Sequence, residues 1–152
     1  MEKIILIGAS RAGKTTLIKV LEDGEFKNID YRTQSLEFND RAIDTPGEYI
    51  ENRHYYTALI SAAQEAEIIG LIADATAEQS FLPPGFASIF ARPVIGIITK
   101  IDAEEADIEY AKSILEMAGA EKIFFTSALE GEGLKKLSEF IKSNSEVGRT
   151  EE

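Results

Sequence analysis

The chain has 152 residues, enough for one domain with a core of ordinary size, and Lys+Arg 16 against Asp+Glu 27 leave a formal net charge of −11. Such a charge repels nucleic acid and anionic lipid unless a basic patch intervenes, and the sequence contains none. It has no cysteine, which excludes disulfides and thiolate chemistry, and neither a signal-peptide pattern nor an apolar run near the roughly 20 residues of a membrane span, so a cytoplasmic protein with no nucleic-acid or membrane partner is expected.

Lys3 to Ile7 is an apolar run that reads as a buried strand, and Thr15 to Leu21 has helical character. Between them Gly8-Ala9-Ser10-Arg11-Ala12-Gly13-Lys14-Thr15 fits the spacing G-x-x-x-x-G-K-[ST] in the strand–loop–helix context that a phosphate-binding loop needs. Gly8 and Gly13 permit a turn that aims backbone N–H groups at phosphate oxygens. Lys14 then reaches the β- and γ-phosphates, the Thr15 hydroxyl ligates Mg²⁺, and Thr16 completes the candidate nucleotide-binding segment.

Gly24 marks the end of this first helix. The polar segment from Glu25 to Ser35 has no clear period and contains Thr33, a candidate switch threonine for Mg²⁺ and the γ-phosphate, with an ordinary loop threonine as the alternative. Ser35 to Phe38, the turn Asn39-Asp40 and Arg41 to Asp44 predict a hairpin that adds an antiparallel edge to the sheet. Its second strand runs into Asp44-Thr45-Pro46-Gly47, where Asp44 is placed to hold Mg²⁺ and the Gly47 N–H to sense a γ-phosphate. A helix is predicted from about Asn52 to Ala66, with Asn52 as N-cap and His54, the one histidine, exposed upon it.

Glu67 to Asp74 is a near-continuous apolar run of the kind found in parallel sheets. The segment from Ala75 to Arg92 contains Pro83-Pro84-Gly85 and cannot be a regular helix; its Phe81, Phe86 and Phe90 either cap the core or form a docking surface. Pro93 to Ile98 is a fifth strand that delivers Thr99-Lys100-Ile101-Asp102 to its carboxyl end, so the phosphate loop, Asp44 and Asp102 converge on one rim. A helix from about Ala103 to Ala118 ending at Gly119, a strand from Lys122 to Thr126 and a last helix bearing Leu134, Leu137, Phe140 and Ile141 complete a domain of residues 1–142; residues 143–152 form a polar, disordered tail.

Thr99-Lys100-Ile101-Asp102 resembles the guanine-specificity motif N-K-x-D of small GTPases, with Thr in the first place. A carboxylate accepts from N1–H and the exocyclic amine of guanine, a donor pair that adenine lacks, so GTP is favoured over ATP; Asp102 also suits a helix N-cap. Ser127-Ala128 resembles the S-A-K loop that meets guanine O6 through backbone N–H, with Leu129 in place of the lysine. With these signatures in order the chain resembles a Ras-like P-loop G domain. That resemblance implies an α/β fold with a six-stranded, mostly parallel sheet, one antiparallel edge strand and helices on both faces.

More narrowly, Gly8 to Thr16, Ile43 to Tyr49, the Phe81 to Phe86 segment and Val94 to Asp102 resemble the EutP/PduV family of ethanolamine and propanediol utilisation. This implies a cytoplasmic bacterial protein that works with a pathway often housed in a protein-shelled microcompartment, with shell or pathway enzymes as partners. Glu48 stands where the Ras type has a water-orienting Gln; its carboxylate would be repelled by the γ-phosphate, so slow hydrolysis is expected. Arg11 occupies the place of an Asn ligand in potassium-activated relatives, and either neutralises phosphate charge in cis or points to solvent. Lys14, Arg11, Gly47 and Glu48 are thus the catalytic candidates. Three functions follow: a GTP-dependent switch or assembly factor, a phosphotransferase resembling an acetate kinase, or a non-hydrolysing scaffold.

Overall fold

Three apolar runs form the centre of a single sheet. The computed structural model describes residues 4–9, 12–14, 16–17, 37–38, 42–77, 82–127 and 130–141. Its strands are β1 (Ile4–Ile7), β2 (Glu37–Phe38), β3 (Ala42–Asp44), β4 (Ile68–Asp74), β5 (Val94–Thr99) and β6 (Ile123–Phe125), in the order β2-β3-β1-β4-β5-β6. The pairs β3–β1, β1–β4, β4–β5 and β5–β6 are parallel, and the short β2 pairs antiparallel with β3.

Successive side chains of a strand face opposite sides, and the two sides carry separate cores. Ile5, Ile7, Ile69, Leu71 and Ile98 pack with Leu59 and Ala63 of one helix and Ala111, Leu115 and Ala118 of another. Ile4, Leu6, Ile68, Ile72 and Ile97 pack on the other side with Leu17, Leu134, Leu137 and Ile141. Full burial of each Ile or Leu contributes about 1.5–3 kcal/mol, so the buried strands fix the frame on which the loops are hung. Gly70 is where β4 meets its neighbours most closely: an added Cβ would lie 2.9 Å from the Leu6 side chain.

The helices follow from the same packing. α1 opens at Lys14 and is helical at residues 14, 16 and 17. The chain is divided here: a short α2 (Glu48–Glu51) precedes Asn52, and a 3-10 turn (Arg53–Tyr55) and α3 (Tyr56–Ala63) follow it in place of the one continuous helix predicted from Asn52 to Ala66. The division is at Asn52, which is extended (φ −140°) and whose side chain accepts from the His54 N–H. An Asn side chain that satisfies a nearby N–H competes with continuous helix, which is why Asn52 caps a 3-10 turn and the main helix begins at Tyr56. His54 is exposed, as expected, on that turn rather than on the helix, with its ring edge-on to Tyr55.

α4 (Ile108–Ala118) starts five residues later than predicted, because the intervening chain makes turns closed by Ala103 N–H to Lys100 O and Ala106 N–H to Ala103 O. Asp107, whose side chain accepts from the Tyr110 N–H, is its N-cap, so Asp102 is not. Gly119 ends the helix in a left-handed conformation (φ 103°). Residues 134–141 form α5.

A 3-10 turn at Phe86–Ile89 covers one end of the core. Phe86 is buried and edge-on to both Tyr56 and Phe90, so these two phenylalanines cap the core rather than offer a surface. Phe81, the Asn39-Asp40 turn, the segment with Thr33 and the tail at 143–152 lie outside the described residues.

Gly133 sits before α5 with φ +75°, and a Cβ there would collide with the backbone carbonyl of Phe125. Neither the backbone angle nor the space admits a side chain, so Gly133→Ala is expected to destabilise the fold by roughly 2–4 kcal/mol, read as a lower midpoint in chemical denaturation.

Candidate functional site

The order of strands reverses about β1, and the segments leaving the carboxyl ends of β1, β4, β5 and β6 converge beyond that edge, as ligand sites of open α/β sheets do. They enclose a cavity of about 430 Å³ lined by Gly13, Thr16, Thr76, Thr99, Lys100 and Asp102, among others.

The β1 loop enters it from one side. Gly8 is packed against β4 so closely that an added Cβ would lie 2.9 Å from the Ile72 side chain, whereas Gly13 takes φ +100°, a conformation open to glycine. Lys14 is 6% exposed, and its Nζ donates to the Ala9 carbonyl at 3.0 Å. Its ammonium is therefore held against the loop that its backbone follows. Ala12 is buried, and its N–H donates back to Ala9 O, closing the turn. Ser10, Arg11 and Thr15 lie outside the described residues.

The β5 turn enters from the other side. Thr99 is buried, and its Oγ1 donates to the Ala12 carbonyl at 2.7 Å. The threonine that departs from the N-K-x-D pattern thus ties this turn directly to the β1 loop. Lys100 follows with φ 62°, and its Nζ donates to Asp74 Oδ2 at 2.8 Å. Asp102 is exposed on the cavity side, with Oδ1 accepting from the Ser127 hydroxyl at 2.6 Å. Ser127 Oγ in turn accepts from the Glu130 N–H at 3.0 Å, so the hydroxyl is oriented toward the carboxylate.

The β6 loop differs from expectation in one respect. The Ser127 N–H is engaged by the Glu132 carbonyl at 2.9 Å, so it does not face the cavity as a free donor, and Ala128 lies outside the described residues. What Ser127 supplies is the hydroxyl that aims Asp102.

Beside this cavity the backbone of Asp44 ends β3 in register with Leu6, its side chain outside the described part. Thr45 is buried and donates through Oγ1 to the Leu6 carbonyl at 2.9 Å, which binds the Asp44–Gly47 turn to the end of β1. Gly47 is buried at the start of α2, and Glu48 is exposed in its first turn. The structure thus brings Gly13, Lys14, Thr16, Thr99, Lys100, Asp102 and Ser127 together and sets Gly47 and Glu48 apart from the cavity, on the neighbouring turn. Thr45, Asp74 and Thr76 were not among the predicted site residues. The signal available for them was position alone, each standing at or just past the carboxyl end of a predicted strand.

The arrangement can do two things chemically: accept donors from a ligand at the Asp102 carboxylate, and place the Lys14 ammonium in the β1 loop where anionic oxygens would be attracted to it. Fold and site together define an α/β protein of the P-loop GTPase type. The chain belongs to the PduV-EutP family, described as ethanolamine utilisation - propanediol utilisation, whose model matches residues 1–143. Propanediol utilization protein PduV of Citrobacter freundii is 45% identical over 142 residues, covering 93% of each chain. Probable acetate kinase EutP of Salmonella typhimurium is 34% identical over 149 residues, covering 96% of this chain and 92% of that one. GTPase Era of Sinorhizobium medicae is 24% identical over 159 residues; it covers 91% of this chain, which spans 51% of Era.

Thr99→Val keeps the shape and removes the donor, leaving the Ala12 carbonyl without it. The expected loss is about 1–3 kcal/mol of stability in urea unfolding, with Thr99→Ser losing distinctly less because the hydroxyl remains.

Proposed function

We propose that this protein binds GTP with Mg²⁺, hydrolyses it slowly, and acts as a nucleotide-controlled switch or assembly factor in propanediol or ethanolamine utilisation. In this reading it works in the cytoplasm beside a protein-shelled compartment, with shell or pathway enzymes as partners. The observation that carries it is the Asp102 carboxylate, aimed by the Ser127 hydroxyl at 2.6 Å on the lip of the cavity. Ser127 takes lone pairs of one oxygen, and the carboxylate keeps others for the N1–H and C2 amine of guanine. Adenine presents no such pair, and a carboxylate facing it would lose its water without compensation.

Lys14 would neutralise charge on the β- and γ-phosphates, from a loop whose backbone N–H groups and Gly13 allow close approach. Thr15, Thr33 and Asp44 would hold Mg²⁺, which when bound offsets charge on the phosphate oxygens. The Gly47 N–H would meet the γ-phosphate. Glu48, exposed beside it, brings a negative charge where water must be oriented, which accounts for a slow rate. Arg11 would supply positive charge from within the loop.

A second reading is favoured by the name of the EutP relative: transfer of the γ-phosphate to a small carboxylic acid. Arg53, exposed on the turn after α2, is the described arginine nearest in sequence to Gly47 and Glu48 and would have to bind the acceptor anion.

The two are separated by following labelled GTP and ATP with Mg²⁺, each with and without acetate. Free phosphate, from GTP in preference to ATP and indifferent to acetate, is expected; acetyl phosphate that disappears in Lys14→Ala would establish the second reading instead. Asp102→Asn tests the base site by itself. It turns an acceptor into a donor, so GTP affinity should fall by roughly 100-fold while xanthosine triphosphate, with a carbonyl at C2, gains.

A further inference from the structure

We propose that Asp74 is a positioning residue of the base site, acting through Lys100. The inference rests on the nucleotide reading of the cavity given above and extends it to a residue outside the recognised motifs. Asp74 is the last residue of β4 and lies in register with Thr99 of β5, so its side chain stands beside the turn that carries Lys100 and Asp102. Both of its oxygens are engaged. Oδ1 accepts from the Thr76 N–H at 2.8 Å and from the Thr76 hydroxyl at 2.6 Å, and Oδ2 accepts from Lys100 Nζ at 2.8 Å.

The first two bonds fix the carboxylate in one rotamer, so that the third fixes the lysine. Lys100 needs such a partner. Its side chain reaches to the end of β4, where the bond to Asp74 is made, and the residue lines the cavity together with Thr76. A free lysine would have to surrender its rotamers when a base entered; tied at its tip, it has surrendered them beforehand, and the stem is already a wall. The turn after Asp74 is itself anchored: the Ala75 N–H donates to the Thr99 carbonyl at 3.0 Å, and the Ala75 carbonyl accepts from the Asp107 N–H at 2.7 Å.

Stability does not explain the pair. The lysine side chain is 42% exposed and the aspartate 12%, and a pair open to water on one side adds little to folding. Preorganisation of a binding wall is the consequence that the geometry leaves.

The test is a cycle of variants in the full chain, read as the affinity and dissociation rate of a fluorescent GDP. Asp74→Asn keeps an oxygen for Thr76 and removes the charge that holds Lys100. It should weaken GDP about 10-fold, mainly through faster dissociation, with the thermal midpoint of the nucleotide-free protein unchanged. In a Lys100→Ala background the same change should have no further effect on GDP. Thr76→Val, which only loosens the carboxylate, serves as an independent variant and should produce a smaller loss of the same kind, also abolished by Lys100→Ala. Wild-type affinity in Asp74→Asn, or a loss that persists in full without Lys100, overturns the proposal while leaving the guanine site standing if Asp102→Ala weakens GDP. A wild-type protein that fails to bind GDP, or binds it indifferently to Asp102, overturns both.

Discussion

The hydroxyl of Thr99 donates to the carbonyl of Ala12 across 87 residues of chain, and in doing so joins the two loops between which the cavity lies. Such a bond forms only if β1, β4 and β5 hold a fixed register, since it closes over the ends of these strands. Their register is held by side chains buried on both faces of the sheet, with Ile5, Ile7, Ile69, Leu71, Ile97 and Ile98 all excluded from water. A second hydroxyl does the same work on the other flank, from Thr45 to the Leu6 carbonyl. The loops thus inherit the rigidity of the sheet at single points, and each point is a buried threonine hydroxyl that donates to a backbone carbonyl.

The parallel strands and the turn between β1 and α1 were legible because their signals are local. Ile68 to Ala73 and Val94 to Ile98 are apolar without alternation, which is what burial on two faces demands, and Gly8 and Gly13 flank a loop whose spacing carries its own mechanism. Asp102 and Lys100 were legible as a resemblance, but their partners were not. That Lys100 meets Asp74, or that Ser127 aims Asp102 by its hydroxyl while its N–H closes the loop on Glu132, depends on which residues of different strands end side by side. Spacing along the chain says nothing of that. The helix errors have a different origin. Asn52 and Asp102 were the polar residues expected at helix starts, and only the geometry shows Asn52 capping a 3-10 turn and Asp107, not Asp102, opening α4 after two tight turns.

The acidity of the chain gives these local arrangements their importance. With a net charge of −11 the field of the whole molecule opposes any approaching polyanion, so attraction for one would have to be generated at short range. Lys14 and Lys100 are accordingly both held by oxygens of the protein, the first by a carbonyl of its own loop and the second by a carboxylate. Neither cation has to be gathered from solution when a ligand arrives. An acidic exterior around such a site also discourages other polyanions, so the local donors select by fit where a basic surface would select by charge alone.

Lys100 is, among the described residues, the non-glycine with a left-handed backbone. An L-residue in that conformation carries about 1–2 kcal/mol of strain that glycine would release, and asparagine would carry it more easily. Both of those substitutions delete the long side chain of a residue that lines the cavity, and with it the bond to Asp74. The most comfortable residues for the backbone at this position are therefore ones that open this wall of the cavity. Selection of variants for heat resistance alone would drift toward them, and the resulting protein would be sturdier but would have lost one wall of its cavity.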